Sequence, residues 1–284
     1  MIPAPFEYVA PSSVDEAVQA LAAAGEDAKV LAGGQSLLPV LRMRLAAPTT
    51  IVDLRKVAEM RGVREDGDDL VIGAMTTHYD VQRDALVAEH AALVKEATDT
   101  VADPQVRHVG TFGGSLAHAD PAGDLPATVL ALDGTLVIEG PKGRRTVPAA
   151  EFFQDFFTTV LEPDELLVEV RLPKHTGWSA HYEKFNRVAQ AWSMVAVGVT
   201  VRTEGGVIEE ARVALTNMGS TPVRATAVEQ ALVGASASAD VIRAAAAHAA
   251  DGTSPAADGN SDVEYRQHLA RVLTGRALAA AVGA

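Results

Sequence analysis

The chain of 284 residues contains no cysteine. That absence excludes disulfides, thiolate-held zinc, iron–sulfur ligation and a thiol nucleophile within the chain. Positive charge is scarce: 24 lysines and arginines face 37 aspartates and glutamates, a formal net charge of −13. Such a balance argues against a nucleic-acid groove or an anionic membrane surface as partner, because both select for basic patches. It leaves open phosphates held locally by backbone N–H groups. No run of ~20 uninterrupted apolar residues is present that could span a membrane. The first residues, Met-Ile-Pro-Ala-Pro-Phe-Glu-Tyr, lack a basic region followed by an apolar core. A secretory signal is therefore not expected, and the cytoplasm is the default location. The sequence also lacks G-x-G-x-x-G, G-x-x-x-x-G-K-[ST] and G-x-S-x-G, so neither a Rossmann fingerprint, a P-loop nor a nucleophile elbow is available.

What is present is ample core-forming material. Apolar residues make up 48% of the chain, unlike a disordered protein, and the length favours two domains. Residues 12–24 are predicted as an amphipathic helix. Ser13 and Glu16 fit a capping box, Val14, Ala17, Val18 and Leu21 share one face, and Gly25 is a stop. Lys29–Leu31 reads as a strand that runs into Ala32-Gly-Gly-Gln-Ser36, after which Leu37–Leu45 looks helical with Pro39 in its first turn. Ile51–Leu54 reads as a buried strand, Val63–Ile72 as a hairpin around Gly67, and Thr77 with Asp80 as a helix opening. Leu93–Val101 is a further helical run, Thr135–Val147 a second hairpin turning at Gly140–Gly143, and Leu166–Leu172 a strand closed by Pro173. Residues 174–177 read as a linker. Beyond them Ser179–Phe185, Met194–Arg202 and Ile208–Leu215 are expected strands, with Gly205-Gly206 at a hairpin turn. Thr221-Pro222 precedes a helix ending near Gly234, and Ala-rich helices are expected at about 239–250 and 262–280. The class is α+β: a mixed first part, then an antiparallel sheet backed by helices.

Two glycine-rich stretches carry the candidate chemistry. Residues 103–126 are the densest cluster of Gly, Pro, Asp and His. Gly110, Gly113 and Gly114 free the backbone for positive φ or for close approach to a ligand, and Thr111 and Ser115 add hydroxyls. Asp120 and Asp124 follow as acceptors, before an apolar run, Leu125–Leu132, that could be a helix. A glycine turn feeding apolar secondary structure can hold an anion; a plain irregular loop is the competing reading. Gly33-Gly34, between a strand and a helix start, offers the same geometry, with a ligand-free tight connection as its alternative. His108, His118, Asp120 and Asp124 match no recognised metal spacing. Ser36 and Ser115 suit hydroxyl donation better than a hydrolase triad. Lys184 and Arg187 either place positive charge over an anion or form a solvated strand end. Trp192 is either core or an aromatic lid on a planar ring.

Taken together the two glycine turns are more telling. Ala32-Gly-Gly-Gln-Ser-Leu-Leu-Pro39, about eighty residues ahead of Thr111-Phe-Gly-Gly-Ser115, resembles the FAD-binding pattern of the molybdenum hydroxylase family. The resemblance extends through Asp103–Gly110, His118–Asp124, Leu161-Glu-Pro-Asp-Glu-Leu166, Tyr182-Glu-Lys-Phe185 and Ala214-Leu-Thr-Asn217, and is strongest toward the medium, FAD-binding subunits of aerobic carbon monoxide dehydrogenases. Phe112 stands where the family commonly has isoleucine or valine, and Ser115 where it commonly has aspartate or asparagine.

The resemblance implies a vanillyl-alcohol-oxidase-type FAD-binding domain over residues 1–176, in two α/β subdomains of about 1–55 and 56–176. A C-terminal α+β domain, 177–284, would close over the flavin. The cofactor would be non-covalent FAD, held by Lys29, Leu31, Ala32, Gly33, Gly34, Gln35, Ser36 and Leu37 on one side of the pyrophosphate. Gly110, Thr111, Gly113, Gly114 and Ser115 would form the other side. Asp124 would reach ribose or ribityl hydroxyls, and Leu161, Lys184 and Trp192 would meet the isoalloxazine. No residue of this chain would be catalytic and none would bind metal. Molybdenum cofactor and [2Fe–2S] clusters would reside on a large and a small partner subunit, in a dimer of heterotrimers. The flavin chain would take electrons from the clusters and pass them to an external acceptor. The location would be cytoplasmic, with attachment through the complex to the inner face of the membrane left open. A stand-alone flavin oxidoreductase of the same fold and a non-enzymatic nucleotide-binding protein are the alternatives.

Overall fold

A computed structural model describes residues 2–284. Three parallel strands come first: β1 (Glu7–Val9), β2 (Ala28–Leu31) and β3 (Thr50–Asp53), with β3 central. Parallel neighbours need a crossover, and α1 (Val14–Ala24) supplies it between β1 and β2. Ser13 caps this helix by accepting from Glu16 N–H at 3.1 Å. The reciprocal arm is displaced by one residue, since the Glu16 carboxylate accepts from Ser12 N–H and Oγ, both at 2.8 Å. Helix α2 (Leu37–Arg42) stops short of Leu45. Arg44 at φ 57° lets Leu45 N–H turn back onto Val40 O at 3.1 Å, which closes the last turn.

The second sheet has β4 (Val63–Asp66), β5 (Asp69–Gly73), β6 (Thr135–Gly140), β7 (Gly143–Pro148) and, after the short hairpin β8 (Phe153–Asp155) and β9 (Thr158–Thr159), β10 (Leu166–Pro173). Its order is β4-β5-β10-β6-β7, antiparallel throughout. Both hairpins expected from sequence form. Helices α3 (His78–Arg83), α4 (Ala85–His90), α5 (Ala92–Asp99), α6 (Pro104–Arg107), α7 (Phe112–His118), α8 (Asp124–Ala131) and α9 (Ala149–Phe152) lie between or after these strands. Four of these helices begin at side-chain caps, from Thr77, Asp84, Asp103 and Thr111.

The third sheet, β11 (Ser179–Phe185), β12 (Val195–Glu204), β13 (Val207–Thr216) and β14 (Val223–Arg224), is an antiparallel meander. Helices α10 (Thr226–Leu232), α11 (Ala239–Ala246) and α12 (Val263–Val282) follow. Strand β12 is buried on both faces, and the period-2 geometry of a strand explains its unbroken apolar run. Val195, Val197, Val199 and Val201 join the core with the C-terminal helices. Ala196 belongs to the first core, and a Cβ on Gly198 would lie 3.4 Å from Leu93 of α5.

Residues 174–177 are not a free linker. Lys174 and His175 donate their N–H groups to Asp68 O at 2.9 Å and His90 O at 2.8 Å, and Thr176 Oγ1 meets His90 Nδ1 at 2.7 Å. Among the described residues no helix is long and apolar enough to cross a membrane.

Candidate cofactor site

The glycine stretch of residues 110–115 is not a loop. Thr111 is the N-cap of α7 and accepts from Gly114 N–H at 3.2 Å, so Gly113 and Gly114 lie in the first helical turn. Glycine in a helix costs about 0.5–1 kcal/mol relative to alanine, and packing supplies the reason it is tolerated here. A Cβ on Gly113 would sit 2.4 Å from Ala74 Cβ, and one on Gly114 would sit 2.6 Å from Thr111 Oγ1 and 3.3 Å from Ala32 Cβ. A Cβ on Gly33 would fall 2.4 Å from Val109 O and 2.6 Å from Gly110 Cα. The two glycine turns are therefore pressed against each other. Positive φ is needed at only one of these glycines, Gly34 at 73°.

The two turns contribute differently. Among the described residues, the N–H groups of Gly33, Gly34, Gln35 and Ser36 donate to no protein acceptor. Those of Gly113, Gly114 and Ser115 are committed to Ala74 O, Thr111 Oγ1 and Thr111 O. Four consecutive free donors thus come from the first turn, while the second brings close approach and the Thr111 N–H, which likewise has no protein acceptor among the described residues.

Both turns border a cavity of about 840 Å³. Lys29, Ala32, Gly33, Gly34, Gln35, Ser36, Leu37, Gly110, Thr111, Gly113, Gly114, Ser115, Asp124, Leu161, Lys184 and Trp192 all line it. Leu31, expected with them, does not: its side chain packs with Leu41 and Ile51 beside the first sheet.

Asp124 and Lys184 are less free than the sequence reading implied. Asp124 is 4% exposed; its Oδ1 accepts from Tyr182 Oη and Ser193 Oγ, each at 2.8 Å, and its Oδ2 accepts from Lys184 Nζ at 2.8 Å. Lys184 also donates to Thr100 O at 3.2 Å. Burial pushes the Asp124 carboxyl above the ordinary aspartate range, and the Lys184 ammonium and the hydroxyl donors pull it back. Burial likewise holds the Tyr182 phenol well above its usual value, with the Asp124 charge adding to the effect. The lysine charge is thus matched by Asp124 at the cavity wall, and a ligand meets an ion pair rather than a bare cation. Arg187 reaches Asn260 Oδ1 at 3.2 Å and does not line the cavity.

Trp192 is not core: it is 56% exposed and borders the cavity on the connection between β11 and β12. The residues after it are pinned. Asn217 Nδ2 donates to Ser193 O at 2.8 Å, and the buried Arg266 donates to Met194 O at 2.6 Å. His118 lines the cavity with its ring 5.2 Å from that of Phe157, and its pKa is lowered by burial against the pull of Asp120. His108 instead stacks on Tyr79 at 3.9 Å. Asp120 is used locally, accepting from Ala122 N–H at 2.9 Å. Among the described residues no group of three or more His, Cys, Asp or Glu side chains is arranged to hold a metal.

Sequence reasoning missed His78, Met75, Val101, Val106, Phe157 and Gln190, which also line the cavity. His78 arrives through a long-range pairing: its N–H donates to Gly110 O at 2.9 Å, and Phe112 N–H donates to Thr76 O at 2.9 Å. No local spacing signals that contact.

Free N–H groups, glycines without room for a Cβ, and a cofactor-sized cavity have the geometry expected of an anion-holding nucleotide-binding protein. The family model for the FAD binding domain in molybdopterin dehydrogenase matches residues 4–175, and that for the CO dehydrogenase flavoprotein C-terminal domain matches residues 180–281; the chain belongs to this family. The carbon monoxide dehydrogenase medium chain of Hydrogenophaga pseudoflava is 42% identical over 284 residues, covering 99% of this chain and 98% of that protein. The 6-hydroxypseudooxynicotine dehydrogenase complex subunit alpha of Paenarthrobacter nicotinovorans is 34% identical, covering 99% and 96%. A solved structure of reconstituted CO dehydrogenase from Oligotropha carboxidovorans matches with a TM-score of 0.96 at 39% identity, covering 100% of this chain and 99% of that one. The chain is thus an FAD-binding medium subunit of a multisubunit oxidoreductase.

Proposed function

We infer that this chain is the electron-transfer subunit of an aerobic carbon monoxide dehydrogenase, working between a partner's [2Fe–2S] centres and an external acceptor. Substrate oxidation belongs to a large molybdenum-cofactor subunit and cluster ligation to a small subunit, which accords with the absence of cysteine here. The observation that carries the reading is full-length similarity to a carbon monoxide dehydrogenase medium chain, joined to the unpartnered N–H groups of Gly33 to Ser36 at the cavity. When bound, FAD supplies reversible electron storage.

This chain's residues hold and orient it. Ala32 to Ser36 offer N–H donors to the diphosphate, with Lys29 and Leu37 beside them. Gly110, Thr111, Gly113, Gly114 and Ser115 bring the second backbone within reach. Leu161, Lys184 and Trp192 surround the ring end, and Asp124 fixes Lys184 there. The unit from 1 to 176, in parts of about 1–55 and 56–176, forms one wall, and residues 177–284 form the other. The assembly is a dimer of heterotrimers in the cytoplasm, associated through the complex with the inner face of the membrane.

Purification of the native complex tests the reading. Flavin absorbance on this chain, bleached by CO under anaerobic conditions, is the expected result. Copurification without a molybdenum subunit, or bleaching by an N-heterocycle or an aldehyde but not by CO, would reject the carbon monoxide assignment. Native mass spectrometry reads the stoichiometry, and cell fractionation reads the location.

A further inference from the structure

Ala214-Leu-Thr-Asn217 carries part of the family resemblance but does not line the cavity. Asn217 stands directly after β13 at φ 62°, a left-handed backbone that asparagine tolerates better than most residues. Its N–H donates to Pro121 O at 2.9 Å, in the turn that leads into Asp124. Its side-chain amide donates to two successive carbonyls, Ser193 O at 2.8 Å and Met194 O at 3.3 Å. Those two residues follow Trp192 in the chain. Trp192 makes no ring stack, cation–π contact or side-chain hydrogen bond among the described residues. An indole with no partner of its own is aimed by the backbone it stands on. Upstream that backbone is held lightly: Ala191 N–H closes a local turn on Val188 O at 3.2 Å, Gln190 sits at φ 68°, and Arg187 reaches Asn260 through one exposed bond. Downstream it is fixed, by Asn217, by Arg266 on Met194 O and by Ser193 Oγ on Asp124 Oδ1.

We propose that Asn217 is a positioning residue that sets Trp192 at the ring end of the flavin cavity. The proposal rests on the flavin reading of the cavity. Two demands meet at position 217. The backbone needs a residue that accepts positive φ, which glycine or aspartate would also meet, whereas Ser193 O and Met194 O need N–H donors, which neither side chain has. Ser193 is 2% exposed, and among the described residues its carbonyl has no other donor. Arg266 reaches Met194 alone, while Asn217 spans both carbonyls and through its own N–H holds the turn before Asp124. Lys184 pairs with that same Asp124. The indole and the ammonium at the ring end thus share one frame, and Asn217 is the joint between its two segments.

The test has one arm without flavin and one with it. The chain holds two tryptophans, so Trp178→Phe leaves Trp192 as the sole emitter of the full, flavin-free chain. With Asn217 intact, the time-resolved anisotropy of Trp192 decays with the tumbling of the whole chain. Asn217→Gly and Asn217→Asp, which both accept the backbone and both lose the donors, add a fast nanosecond component of local motion. In the FAD-loaded complex, the same two substitutions raise flavin emission per bound FAD to the level of Trp192→Ala. Asn217→Gly then adds nothing in the Trp192→Ala background, a non-additivity that a general loosening of the fold does not produce. Fast local motion of Trp192 while Asn217 is intact overturns the proposal, and that measurement involves no variant at 217 whose folding is in question. Unchanged flavin emission in both variants, or the same rise with and without Trp192, overturns it as well. A wild-type complex with no flavin on this chain overturns the flavin site itself and the proposal with it, whatever the anisotropy arm returns.

Discussion

Lys184→Met isolates what the buried ion pair contributes. The variant keeps the length and apolar stem of the side chain and deletes the ammonium that sits 2.8 Å from Asp124 Oδ2. Both side chains are nearly sealed from water, 7% exposed for Lys184 and 4% for Asp124. Asp124 then retains two hydroxyl donors, Tyr182 and Ser193, but loses its counter-charge. Breaking a buried pair by removing one partner costs about 3–5 kcal/mol, because the remaining charge stays desolvated. At roughly 2–4 °C per kcal/mol for a chain of this order of size, the melting temperature of the flavin-free protein falls by about 10 °C. The Asp124 carboxyl, already raised by burial, rises further, so the destabilisation is largest at neutral pH and relaxes in acid, where the group can protonate. The double variant Asp124→Asn/Lys184→Met removes both charges and recovers much of the loss. Scanning calorimetry of wild type, both single variants and the double variant closes the cycle. If Lys184→Met melts with the wild type, or if the double variant is no more stable than the single, the ion pair does not stabilise the cavity wall.

Other consequences are as direct. Gly33→Ala forces a Cβ to 2.4 Å from Val109 O, so it costs about 1–3 kcal/mol and depletes bound flavin, read as the 450 nm absorbance per chain. The loss arises from the clash between the two turns, and folding suffers along with binding. Trp192→Ala, at a site 56% exposed, leaves stability within about 0.5 kcal/mol while flavin emission rises as the ring loses its neighbour. His78 makes stability pH-dependent in a known direction. Its folded pKa of about 4 lies below the ordinary histidine value of 6.5, so between them the unfolded chain binds more protons and stability falls as pH drops. A gap of about 2.5 units at about 1.4 kcal/mol each gives a loss of roughly 3 kcal/mol by pH 4. His78→Gln flattens that part of the profile in urea unfolding, and an unchanged slope refutes it.

Much of the fold was legible because its signals are local. Ser13 and Thr77 cap helices where they were expected, since a hydroxyl within three residues of an unpaired N–H needs no tertiary help. Both hairpins of the second sheet turn where glycine permits it, and strand β11 runs from Ser179 to Phe185 as expected. Strand β1 was missed, being three exposed residues held by parallel pairing to β3 and by the Tyr8 hydroxyl on Asp53, more than forty residues away. Helix α7 was missed because its propensity is poor: Gly113 and Gly114 are helical only through the Thr111 cap and the close approach of Ala74.

The candidate site divides along the same line. The identity of the glycine turns, Ala32–Ser36 and Gly110–Ser115, is carried by residue type and order, since only glycine leaves room for a backbone to come so near. Their mutual contact, the burial of Asp124 against Lys184 sixty residues away, the exposure of Trp192 and the arrival of His78 depend on which segments the tertiary fold brings together. The sequence by itself thus determined the local elements, through caps, turns and small residues whose effects act within a few residues, and gave the cofactor class only through its resemblance to a family. Which donors stay free and which charges are already matched was decided by packing, because desolvation and pairing energies depend on neighbours that the linear order does not name.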